Sequence, residues 1–147
     1  MPAPARGGEP ELKSSAWSFA EDVPDAVVVS LGGADLDGLG VAPAGFQAAY
    51  DGLIGTVRAH YPNAYIWMLV WSEIKDQPVT MRSALLGALN GILTSRKNAG
   101  DSRLYVYVFP QADVNVDETG CEYHANAAHE AAMSGLLVME LSARLGW

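Results

Sequence analysis

Three short apolar runs bounded by turn residues punctuate the chain: "DAVVVSLGG" at 25 to 33, "AYIWMLVW" at 64 to 71 and "RLYVYVFP" at 103 to 110. They are rich in Val, Ile, Tyr and Trp and apolar almost throughout rather than alternating, which is the pattern of parallel strands covered on both faces. Helical periods lie between and after them. Phe46, Ala49, Tyr50, Leu53, Ile54 and Val57 recur at steps of three and four until "YPNA" ends the helix. A second period starts near Thr80, placed to act as its N-cap, and runs through Met81, Leu85, Leu86, Leu89, Ile92 and Leu93 to stop at "KNAGD". A third, marked by Met133, Leu136, Leu137 and Leu141, carries the chain to "RLGW". This alternation of strand and helix predicts right-handed crossovers and a three-layer α/β/α fold, with a short parallel sheet of about three core strands.

Ligands in such sheets bind at the loops that follow the C-terminal ends of the strands. Here those loops are "GGADLDG", "SEIKDQP" and "PQADVNVDETGCEYH". The last is long for a strand-to-helix connection, and long ordered loops in compact domains tend to be functional. It ends in "TGCEYHANAAHEAAM", which holds two of the three histidines and the single cysteine. A histidine at a loop-to-helix junction over this edge of a sheet can act as a general base near neutral pH, so His124 is the candidate base. The alternative is that His124 only orders the turn by hydrogen bonding near the helix start. His129, inside the first turns of the helix, reads as structural. His60, at the end of a helix, reads as a partner for the helix dipole. The paired glycines of "LGGADLDG" permit tight backbone geometry and expose amides of the kind an oxyanion hole needs, though Gly-rich turns recur in open sheets of every kind. Asp35 and Asp37 fit equally well as turn caps.

Composition narrows the class. With 147 residues, half of them hydrophobic, the chain is sized for one domain with its own core, taken as 21–147 behind an N-terminal arm at 1–20. A formal net charge of −8 and the lack of a Lys/Arg cluster argue against a nucleic-acid partner. "MPAPARGGEPELKSS" has no continuous apolar stretch, so it reads as neither a signal peptide nor a membrane span, and no membrane partner is expected. Its abrupt start suggests further sequence upstream. Cys121 stands alone and reads first as a small buried hydrophobe, with a reactive thiol or an intermolecular bridge as alternatives.

Taken together, "PDAVVVSLGGADLDG", "FQAAYDGLIGTVRAHYPNAYIWML" and "GCEYHANAAHEAAMSGLLVMELSARLGW" resemble an SGNH (GDSL-like) hydrolase domain, closest to carbohydrate esterase family 2, the acetyl-xylan esterase type. The resemblance covers roughly 15–147 and is most specific around His124 and at Leu145, Gly146 and Trp147. It implies a flavodoxin-like sheet and a carboxylic-ester hydrolase of esterase or lipase type, acting on short acyl or acetyl esters of a small molecule. No metal and no cofactor are implied, and such enzymes are often secreted. By this match His124 takes the place of the catalytic histidine, His129 that of a later histidine on the helix, and Asp35 that of a structural aspartate. Gly33 keeps a backbone amide near the oxyanion position.

The chain also departs from the family. The family's nucleophile is the serine of a Gly-Asp-Ser block on the first strand, whereas the one Gly-Asp-Ser of this chain, Gly100 to Ser102, precedes the third apolar run. Ala34 replaces the oxyanion-hole Asn, and loss of one such donor typically costs on the order of a hundredfold in turnover. Cys121 stands where many SGNH enzymes place an Asp; by resemblance it is structural. A replacement nucleophile is therefore expected, and Ser72, just after the second apolar run, is the first candidate. Ser30 lies inside an apolar run and reads as core. Cys121 is near enough in sequence to pair with His124 if the turn is tight. The family's first strand would lie beside "DAVVVSLGG"; without it, that strand becomes an edge to be covered by residues 1–20 or by a second copy in a homodimer. Two further readings stand: an inactive SGNH-like fragment kept as a binding or assembly module, and a generic flavodoxin-like binding domain. The last would need a phosphate-cradling glycine loop that opens a helix, and no helix is expected to follow "LGGADLDG" directly.

Overall fold

The computed structural model describes residues 18–36, 41–72, 80–111, 120 and 124–147. Within them the chain forms β1 (Ala26–Val29), α1 (Gly33–Leu36), α2 (Phe46–His60), β2 (Tyr65–Val70), α3 (Thr80–Asn98), β3 (Leu104–Val108) and α4 (Ala127–Leu145). The three strands pair in parallel in the order β1-β2-β3, with Val28 opposite Trp67 and Trp67 opposite Tyr105. Side chains alternate across this sheet. Ile66, Met68 and Val70 point into a cluster with Val29, Tyr50 and Ile54 of α2 and Leu85, Leu89 and Ile92 of α3. Trp67 and Leu69 point the other way, onto Phe109 and Met133, with Leu136, Leu137, Leu141 and Leu145 of α4 packed around them. Helices thus cover both faces, and the fold is the three-layer α/β/α arrangement that the apolar runs predict.

At the N-terminal side of the sheet, the Arg58 guanidinium ties three segments together. Its Nε and Nη2 donate to both carboxylate oxygens of Asp101 at 3.1 and 3.0 Å, and Nη1 donates to the carbonyls of Tyr61, Pro62 and Ala64. The end of α2 and the turns that lead into β2 and β3 therefore share one charged clasp. His60 lies in the last turn of α2, as a dipole partner should, and the ring of Phe19 stacks on it with centroids 3.8 Å apart. Of the arm expected at 1–20, residues 18–20 are described, and Phe19 draws them to the end of α2 rather than along β1. Among the described residues no strand pairs with the outer edge of β1, and Val28 is 40% exposed there.

The end of the first run departs furthest from the apolar pattern. The first run is read as a strand from 25 to 33, but β1 stops at Val29 and Ser30 is exposed. The chain then turns at Gly32, whose φ of 103° lies in the region that favours glycine, and enters α1 directly. The expectation that no helix opens on this loop is thereby corrected, although α1 is a single turn anchored by the fully buried Leu36. Gly32 is held from two sides. A Cβ added to it would fall 2.8 Å from Phe46 Cζ and 2.9 Å from Leu85 Cδ1. Gly32→Ala is therefore expected to cost about 1–3 kcal/mol, from overpacking plus the left-handed backbone. Urea unfolding should show a lower midpoint at unchanged slope, and a midpoint equal to that of the parent would contradict this account of the turn.

Candidate active site

The C-terminal ends of the strands bring four pieces of chain to one edge: the turn after β1, Trp71 and Ser72 after β2, Phe109 and Pro110 after β3, and the approach to α4. The turn after β1 is braced from beneath. Tyr50 of α2 is 5% exposed, and its hydroxyl donates to Val29 O at 3.5 Å. Burial pushes this phenol up to about 12, so it keeps its proton and remains a donor. With Gly32 pinned and Leu36 buried, the backbone around Gly33 has little freedom. Gly33 is half-buried, with open space where its side chain would be, while Ala34 and Asp35 are exposed.

The approach to α4 is built by a chain of short-range bonds. Gly120 N–H donates to His124 O at 2.6 Å. Asn126 caps the helix, its Oδ1 accepting from His129 N–H at 2.9 Å. His124 is exposed, whereas His129 is buried. Ser72 Oγ lies 2.7 Å from His129 Nε2 and 2.6 Å from Met133 Sδ, and Ser72 is only 1% exposed.

This contact revises the expected role of Ser72. The residue does sit at the C-terminal edge of the sheet, but the histidine that meets its hydroxyl is His129, and the pair is sealed from solvent. A serine hydroxyl carries one proton. Whether it goes to His129 Nε2 or to Met133 Sδ is set by the His129 tautomer. Either way the Ser72–His129 pair ties the end of β2 to the first turn of α4. Neither a hydroxyl at 1% exposure nor its buried partner offers an ester a way in.

Cys121 and Asp37 lie outside the described residues. The exposure of Ser30 corrects its reading as core, and the signal overlooked was the glycine pair two residues on, which ends the strand early. Among the described residues no group of three or more His, Cys, Asp or Glu side chains could hold a metal ion, and no helix is long and apolar enough to cross a membrane.

No family model matches the chain. Over 132 residues it is 30% identical to the cellulase/esterase CelE of Acetivibrio thermocellus, a match that spans 89% of this chain and 16% of that protein. Among solved structures, a family two carbohydrate esterase from Clostridium thermocellum in complex with cellohexaose superposes with a TM-score of 0.81 at 28% identity, covering 92% of this chain and 40% of the other. A carbohydrate esterase family 2 enzyme with a carbohydrate-binding domain, from Corynascus thermopiles (Myceliophthora fergusii), gives 0.70 at 27% identity, covering 90% and 41%. The chain therefore spans about two fifths of the length of these solved relatives. In sequence and in fold the chain is similar to family 2 carbohydrate esterases.

Proposed function

We propose that the chain is a carboxylic-ester hydrolase acting on short acyl esters, acetyl groups on carbohydrate above all. His124 is the general base and the Gly33 amide faces the acyl oxygen as charge develops on it. The observation that carries this reading is the pairing of a rigidly braced glycine turn with an exposed histidine at the same edge of the sheet, in a relative of known carbohydrate esterases. Ala34 supplies no side-chain donor, so turnover should be modest beside an enzyme with the full set.

A second reading, a binding or assembly module without activity, draws on Ala34 and on the outer edge of β1, with which no strand pairs among the described residues. A homodimer formed through that edge would cover it. Light scattering should then report twice the 15.6 kDa chain mass, and a stable monomer would remove the dimer.

Hydrolysis of p-nitrophenyl acetate decides between the two readings. The esterase reading expects turnover above the uncatalysed rate, a fall of about 100-fold or more in His124→Ala, and measurable turnover in a folded Ser72→Ala. Parent and His124→Ala both matching the blank would leave the assembly reading in place.

A further inference from the structure

We infer that Ser30 is the nucleophile of this esterase, an assignment that rests on the proposed function and deepens it. The alternation along β1 sets its place. Ala26 packs into the cluster under α4, while Val27 and Val29 pack into the cluster under α2 and α3. Continued one step, that alternation sends Ser30 to the α4 side of the sheet. Ser30 also lies one residue beyond the Val29–Met68 pair, where the next residue of β2 is Leu69, which packs with Met133 of α4. The first turns of α4 are in turn fastened to the end of β2 through Ser72 and His129. Ser30 therefore emerges beside the end of α4 that His124 precedes.

Burial separates the two candidate serines. On that face Ala26 of β1 packs into the cluster under α4, but Val28, two residues nearer the C-terminal edge, is 40% exposed. Ser30 is exposed on that flank, and Ser72 is sealed beneath α4. The local backbone suits the task as well. Ser30 directly follows a strand and directly precedes a sharp turn through Gly32 into a short helix, and a strand-to-helix turn is the setting in which hydrolases expose a nucleophilic serine. The Tyr50 bond to Val29 O holds the residue before it, and the pinned Gly32 holds the backbone two residues after it.

The chemistry balances within the chain. Ser30 Oγ attacks the acyl carbonyl carbon as its proton passes to the His124 imidazole, and the carbonyl electrons move onto the oxygen facing the Gly33 amide. The tetrahedral adduct collapses, the ester C–O bond breaks, and the alcohol leaves with the proton from His124. Water then gives a proton to His124 and attacks the acyl-serine. The carboxylic acid departs, and Ser30 recovers its proton.

The test treats the full chain with a fluorophosphonate, maps the adduct by peptide mass spectrometry, and runs the p-nitrophenyl acetate assay in parallel. We expect one adduct, on Ser30, absent from Ser30→Ala and formed at least about tenfold more slowly in His124→Ala. Ser30→Ala, with an unchanged thermal unfolding midpoint, should lose about 100-fold or more of turnover. An adduct on another residue, or parental turnover in Ser30→Ala, would overturn the assignment while leaving the esterase reading intact. Absence of both turnover and any adduct would overturn both.

Discussion

The burial of β2 on both faces is the constraint from which the rest of the structure follows. Ile66, Trp67, Met68, Leu69 and Val70 are each exposed by 2% or less. At roughly 2 kcal/mol for each fully buried side chain, their contribution is comparable to the whole net stability of an ordinary domain, about 5–15 kcal/mol. A six-residue strand this apolar has to be covered above and below. It receives α2 and α3 on one side and α4 on the other, with the shorter β1 and β3 as its flanks. Parallel pairing then gathers the C-terminal ends of all three strands at one edge. The candidate site lies there because the topology leaves no other place for the three loops to meet.

Within that edge, structural and chemical roles fall to different copies of the same residue types. Of the two histidines at the start of α4, His129 is buried with its Nε2 at Ser72, and His124 is exposed. Of the two serines that end strands, Ser72 is enclosed and Ser30 is open. The inner pair anchors the helix that follows the outer histidine. This division explains how a Ser–His contact of good hydrogen-bonding distance can lie at the edge of a hydrolase-like sheet without being its reacting centre.

Much of this was legible from apolar spacing. Steps of three and four in α2, α3 and α4 and the near-continuous apolar runs of the strands are direct consequences of two-sided burial, so element type and order could be read from the residues. The resemblance also placed His124 at the helix entry and Gly33 in the turn after β1. What the pattern could not carry were choices made by packing between distant segments. α1 escaped notice because a single turn with one buried residue has no period. Ser30 reads as core because apolar residues continue on both sides of it, whereas the strand ends at Val29, where Phe46, Tyr50 and Leu85 close around the turn. Ser72 was assigned to the correct edge, but which histidine reaches it depends on how α4 is rotated about its axis, and that is set by Met133 and the leucines against Trp67 and Phe109.

The division between an inner brace and an outer working pair is the center of the account, and imidazole nitrogen–proton correlation NMR tests it most directly. His129 should keep its signals when the protein is treated with a fluorophosphonate, while the signals of His124 move. Reagent-induced shifts confined to His129 would contradict the account and return the chemistry to the buried pair.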